Sequence, residues 1–188
     1  MIPLGSELAA LSVLVVLTSY AGLVDLKCMV IPDKVCLALF VTGLATAFLL
    51  PIVTPASALL ASAAGGGFLF FIETGFRRYR GYDGLGRGDV KFVGGSATWI
   101  GLEGLPLALL VASLTALAYV AFRCWRDGRL ERTARIPFGP FLGLGVVTVA
   151  GAQFLSGLTV LDLIDAGLRH VALLADMVLR PAHIGLIG

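Results

Sequence analysis

Two aspartates stand where apolar segments begin or end. Asp25 follows an uncharged run in Tyr20-Ala-Gly-Leu-Val-Asp25-Leu-Lys-Cys-Met-Val-Ile-Pro32-Asp33, and Asp89 precedes another in Gly84-Leu-Gly86-Arg-Gly88-Asp89-Val-Lys91. An ionisable group bordering a long apolar segment is expensive to keep, so each is a candidate site. Two carboxylates brought together cannot both ionise cheaply and tend to hold one shared proton. The charged member can then take a proton from a water while the protonated member donates to a scissile carbonyl oxygen. That chemistry needs neither a metal nor a covalent intermediate, and no cofactor is expected. Gly84, Gly86 and Gly88 let the backbone before Asp89 pass close to a neighbouring helix or an extended substrate. The plainer readings are a flexible loop with a helix cap at Asp89 and a boundary carboxylate at Asp25 paired with Lys27.

The elements that must position these residues follow from composition. Of 188 residues, 58% are apolar and only 14% charged, with a mean hydropathy of +0.96. A soluble domain of this size could not cover so much apolar surface with so little polar material. Three cysteines exclude a disulfide scaffold and are read as unpaired thiols. The chain reads as an all-α polytopic membrane protein, in contact with lipid and without a nucleic-acid-binding face.

A helix needs roughly 20 residues to cross about 30 Å of hydrocarbon. The uncharged runs predict helices over about 7–24, 35–52, 56–73, 105–123 and 138–157, the second and third separated at Pro51 and Pro55. The run 92–102 is too short for an ordinary span. Twelve of the 14 Lys and Arg residues fall in three clusters, Lys27 to Lys34, Arg77 to Lys91 and Arg123 to Arg135. The positive-inside rule wants all three in the cytoplasm, so an even number of crossings must separate the second from the third. Residues 90–101 are therefore expected to form a short fourth span, or one arm of a re-entrant hairpin turning at Glu103–Pro106. Six spans follow, with the N-terminus outside and both aspartates at the cytoplasmic border. The first run reads as a retained span rather than a cleaved signal peptide.

Residues 1–157 thus form the membrane domain, and 158–188 an amphipathic interfacial tail carrying Asp162, Asp165, Arg169, Asp176 and Arg180 at helical spacing. Tyr79, Trp99, Tyr119 and Trp125 fall near span ends, where interfacial anchoring is the default. Gly65–Gly67, Gly94-Gly95 and Gly143-x-Gly145 suit close helix packing. Asp83 is a weaker alternative partner carboxylate, and Asp33 reads as a turn or cap residue. Lys91 and Arg87 read as partners of lipid headgroups, or else as guides for an acidic substrate residue. His170 and His183 suggest no metal site.

Taken together, Asp25 with Pro32 seven residues on, Asp33 beside it, GLGRGDVK after an intervening helical hairpin, and Arg135-Ile-Pro-Phe-Gly-Pro-Phe-Leu142 entering the last span resemble the type IV prepilin peptidases over roughly residues 10–157. The resemblance implies that Asp25 and Asp89 are the catalytic pair of an inner-membrane aspartic endopeptidase. It makes Gly86 and Gly88 the GxGD glycines and Ile31-Pro32-Asp33 the turn after the first aspartate. Gly86, Gly88, Lys91 and Pro32 are the supporting or substrate-binding candidates. Such enzymes remove short basic leaders from prepilins or pseudopilins at the cytoplasmic face, for pilus assembly or type II secretion. Many relatives also carry a cysteine-rich zinc-type segment linked to N-methylation. No four-cysteine cluster stands here, and the expectation is peptidase activity without methyl transfer. Two alternatives stay open: another GxGD intramembrane protease of the presenilin kind, and a non-enzymatic assembly or transport component. Oligomeric state is not encoded in any motif.

Overall fold

The computed structural model describes residues 4–80, 86–127 and 136–156, together with Asp165 and Arg169. Within these residues the chain forms a helical membrane bundle of six α-helices and one 3-10 turn: α1 (Leu4–Cys28), α2 (Asp33–Leu49), α3 (Pro55–Arg80), α4 (Arg87–Ser96) continued by the 3-10 turn Ala97–Trp99, α5 (Gly101–Asp127) and α6 (Gly139–Ser156). Four of them, α1, α3, α5 and α6, are long and apolar enough to cross a membrane.

Local chemistry sets the helix ends. Glu7 in the first turn of α1 and Lys27 in its last complement the helix dipole. Met29, at φ 54°, then turns the chain away, its N–H donating to the Asp25 carbonyl at 2.8 Å. A residue in the left-handed region commonly closes a helix in this way. Pro32, with φ −66°, is pre-set to start α2, and its carbonyl accepts the N–H groups of Val35 and Cys36. Thr54 caps α3 by accepting the Ser57 N–H on Oγ1 at 3.2 Å, and Pro55 takes the first helical position, where no N–H is needed.

The packing order explains the short segment. α1 packs on α6, α6 on α5, α5 on α3, α3 on α4 and α4 on α2, and α4 also touches α6. α4 and its 3-10 turn therefore stand in the middle of the bundle, with Phe92, Val93 and every residue from Gly95 to Ile100 buried. A helix enclosed by protein needs apolar or small residues on all sides and no lipid-facing stripe. The surrounding helices of the bundle carry that stripe instead: Val16, Leu23, Leu37, Phe48, Phe71 and Leu117 stand exposed as large apolar side chains. Such a surface suits hydrocarbon and not water.

The central element also runs further than its helical length suggests. It lies antiparallel to α3 from Arg87, beside Glu73, to Leu102, whose N–H donates to Ser57 Oγ at 3.0 Å. The Ser57–Glu73 stretch of α3 amounts to about 24 Å at about 1.5 Å per residue. The chain then reverses at Gly101, with φ 67°, rather than at Glu103–Pro106, which α5 absorbs into its first turns. A reversal there needs a backbone that L side chains rarely adopt, and glycine supplies it.

The glycine expectations hold at the tightest crossings. Gly66 faces Gly94, a Cβ on Gly95 would strike the Cys36 carbonyl, and one on Gly145 would strike the Ala108 carbonyl. The expectation for Trp99 does not hold. Its ring is buried over Gly43 and its Nε1–H donates to the Leu39 carbonyl at 2.9 Å, so it is a core residue tying the 3-10 turn to α2. The indole belongs inside because the span that carries it does. Of the expected tail, only Asp165 and Arg169 are described; both are helical, exposed and paired at 2.5 Å. The boundary at residue 157 and the histidines lie outside the described residues.

Candidate active site

Both aspartates are buried, Asp25 to 6% exposure and Asp89 to 8%. Asp25 occupies the last turn of α1, which runs on to Cys28 instead of stopping at the charge. Its Oδ2 accepts the N–H of Gly139, the first residue of α6, at 2.9 Å. Asp89 lies in the first turn of α4, where its own N–H donates to the Gly86 carbonyl at 3.0 Å. Gly88, beside Asp89, packs on Ile31 in the turn after α1, and Asp25 holds the amide that opens α6, so the two acids share one end of the bundle. The Asp25 carboxylate thus meets the N-terminal end of α6, and Asp89 lies in the first turn of α4, where unpaired amides and the helix dipole favour negative charge. That arrangement offsets the cost of burying two acids close together.

Small residues make the arrangement possible. A Cβ on Gly139 would stand 2.8 Å from Asp25 Oδ2, inside contact distance, so only glycine lets that amide reach the carboxylate. A Cβ on Gly86 would meet Asp89 Oδ2 at 3.2 Å. One on Gly88 would press on Ile31, at 3.2 Å from Cβ and 3.3 Å from the backbone nitrogen. The two motif glycines therefore serve different neighbours: Gly86 leaves room for the acid, and Gly88 lets the turn after α1 close over α4. Pro32, next in that turn, begins α2.

Lys91 faces α2. Its Nζ donates to both carboxylate oxygens of Asp33 at 2.7 and 2.8 Å, a forked pair between two exposed side chains. This brace ties the turn after Asp25 to the helix that carries Asp89. Below the pair the helices pack closely. Thr18 lies two turns down α1 from Asp25, Phe92 one turn along α4 from Asp89, and Gly143 one turn along α6 from Gly139. All three are buried, and Gly143 packs against both of the others.

Sequence reasoning passed over two residues here. Gly139 was visible only as part of the Ile-Pro-Phe-Gly-Pro-Phe run, with no signal that its amide would meet Asp25. Glu73 is 2% exposed on α3, beside Arg77 on its own helix and 3.7 Å from Arg87 Nε. Its signal was present, since it ends the long uncharged run that begins at Val35. Asp83 and Arg135 lie outside the described residues. Cys28 and Cys124 are exposed free thiols and Cys36 a buried one.

The sequence profile of the type IV leader peptidase family matches residues 12–121, from α1 into α5. A prepilin leader peptidase/N-methyltransferase of Burkholderia pseudomallei (strain 1026b) is 32% identical over 143 residues, covering 76% of this chain and 46% of its own. Its counterpart from Pectobacterium carotovorum subsp. carotovorum is 34% identical over 145 residues, covering 77% and 50%. That from Escherichia coli (strain K12) is 32% identical over 124 residues, covering 66% and 54%. The chain spans about half the length of these curated relatives. No solved structure is a significant match. With the profile covering more than half of its residues, including both buried aspartates, Gly86 and Gly88, the chain belongs to the type IV leader peptidase family.

Proposed function

We propose that this protein is a membrane aspartic endopeptidase that removes the leader peptide from a prepilin or pseudopilin, with Asp25 and Asp89 as its catalytic pair. The observation that supports the reading is that these two acids, distant in sequence, are both buried at one end of the bundle, Asp25 on the first amide of α6 and Asp89 in the first turn of α4. In the reaction a water held between them gives a proton to the ionised carboxylate and attacks the peptide carbonyl. The protonated carboxyl meanwhile donates to the developing oxyanion. The proton taken from water then passes to the leaving amine while the collapsing gem-diol returns its hydroxyl proton to the second carboxylate, so the pair is again singly protonated.

The scissile bond is placed at the cytoplasmic border. The basic residues Lys27, Lys34, Arg87 and Lys91 lie near the two acids in sequence, and the positive-inside rule keeps such clusters in the cytoplasm. A substrate's apolar helix would stay in lipid while its leader junction, in extended form, reaches the pair past Gly86 and Gly88. We assign those glycines and Pro32 to shaping the site, and Lys91 to bracing it through Asp33. Only the peptidase half of the relatives' names is carried over, because the three cysteines here form no cluster that would hold a zinc ion.

The test is co-expression with candidate prepilins and mass spectrometry of the mature N-terminus, which also reads any added methyl group. Leader removal by the wild type, and its loss in both Asp25→Asn and Asp89→Asn at unchanged membrane insertion, is the expected result. Near-normal processing by either variant would refute the pair.

A further inference from the structure

We infer that Glu73 is a positioning residue for the catalytic pair: it anchors the start of α4 through Arg87 and so sets where Asp89 stands. The inference rests on the peptidase reading above and deepens it.

Three observations converge. Glu73 is buried to 2% exposure, although it is an ionisable residue on a helix long and apolar enough to cross a membrane. A carboxylate in such a place is retained only where charged or hydrogen-bonding partners compensate it. Its compensation comes from two cations and a hydroxyl: Arg77 one turn on, Arg87 Nε at 3.7 Å, and Thr74 Oγ1, which donates to Glu73 Oε2 at 3.3 Å.

The register then links Glu73 to the site. Gly66 of α3 lies against Gly94 of α4, and Glu73 against Arg87. Seven residues forward on α3 match seven back on α4, so both contacts belong to one antiparallel seam. Gly66, Leu69 and Glu73 follow at helical spacing, a stripe facing α4 that ends in the carboxylate. Arg87 opens α4, and Asp89 is two residues on.

The two side chains divide the first turn of α4 between them. Arg87 reaches toward α3, while Asp89 is buried. Where Gly66 meets Gly94 the two backbones approach with no side chain between them. Glu73 supplies the fixed point at the end where placement matters. A shift of about 1 Å in a reacting group can cost about 100-fold in rate. An ion pair at this end therefore has a catalytic consequence without touching substrate.

The experiment uses the full chain in nanodiscs with a synthetic prepilin fragment, comparing wild type, Glu73→Gln, Arg87→Gln and the double variant. Glu73→Gln keeps the volume and removes the charge. Should it fail to fold, Arg87→Gln, at an exposed side chain, carries the same test. Each single change is expected to lower kcat about tenfold with KM within twofold of wild type, and the double variant to fall no further than either single. Amide exchange over residues 88–91 is expected to quicken in Glu73→Gln whether or not any prepilin is cut. A wild type that cuts, with Glu73→Gln equal to it or with single effects that multiply in the double variant, overturns the inference and leaves the peptidase reading intact. Quickened exchange in a wild-type background that cuts nothing supports the anchor and removes the peptidase reading. Unchanged exchange without cleavage removes both.

Discussion

At the scale of the residue, the site depends on where two carboxylates find positive potential. Asp25 takes an amide from α6, and Asp89 stands in the first turn of α4. Under the proposed mechanism, removing either acid's ability to ionise would stop the proton relay. Asp25→Asn and Asp89→Asn should each slow leader removal by at least about 100-fold, since general acid–base assistance contributes roughly 10²–10⁴-fold. Initial rates on a synthetic prepilin fragment would measure this. Gly139→Ala tests the amide separately. Its methyl group would stand 2.8 Å from Asp25 Oδ2, so the carboxylate must move. The expected outcome is a fall in kcat of about 10–100-fold with the thermal midpoint changed little. Wild-type kcat in that variant would show that the amide contact is dispensable.

At the scale of the element, α4 and the turn after α1 carry most of the constraint. α4 can be central because it is small where its neighbours come close. Gly95→Leu would drive a side chain into the Cys36 carbonyl, and backbone cannot yield there as a rotamer could. Overpacking of this kind costs about 1–3 kcal/mol or more, read as a lower thermal midpoint and a poorer yield of monodisperse protein. Met29 offers a gentler probe, because its φ of 54° closes α1 one turn beyond Asp25. Met29→Gly should leave cleavage and stability near wild type. Met29→Val, with a branched side chain in the left-handed region, should cost about 1–2 kcal/mol. Equal behaviour of the two variants would mean that this turn bears no strain.

At the scale of the whole molecule, the bundle places Lys27, Lys34, Arg87, Lys91 and Arg123 toward one end and the turns at 50–54 and 100–101 toward the other. In a cysteine-free background, single cysteines at Thr54 and Glu103 are expected to react with a membrane-impermeant reagent from outside. Those at Lys34 and Arg123 should react only after permeabilisation, and the reverse pattern would invert the proposed orientation.

Much of this was legible in the residues alone. Hydropathy marks where helices run, because burial in lipid leaves little tolerance for charge. Proline and glycine mark where they start and turn, and two acids between apolar runs announce chemistry. Other features depended on which helix lies beside which. α4 is central rather than peripheral, Trp99 is inside rather than at the interface, Glu73 answers Arg87, and an amide from the last helix holds the acid of the first. Hydropathy reports only how apolar a segment is, and a neighbouring helix is as apolar as lipid, so the linear pattern cannot tell the two apart. Contacts between residues far apart along the chain exist only once the helices have packed.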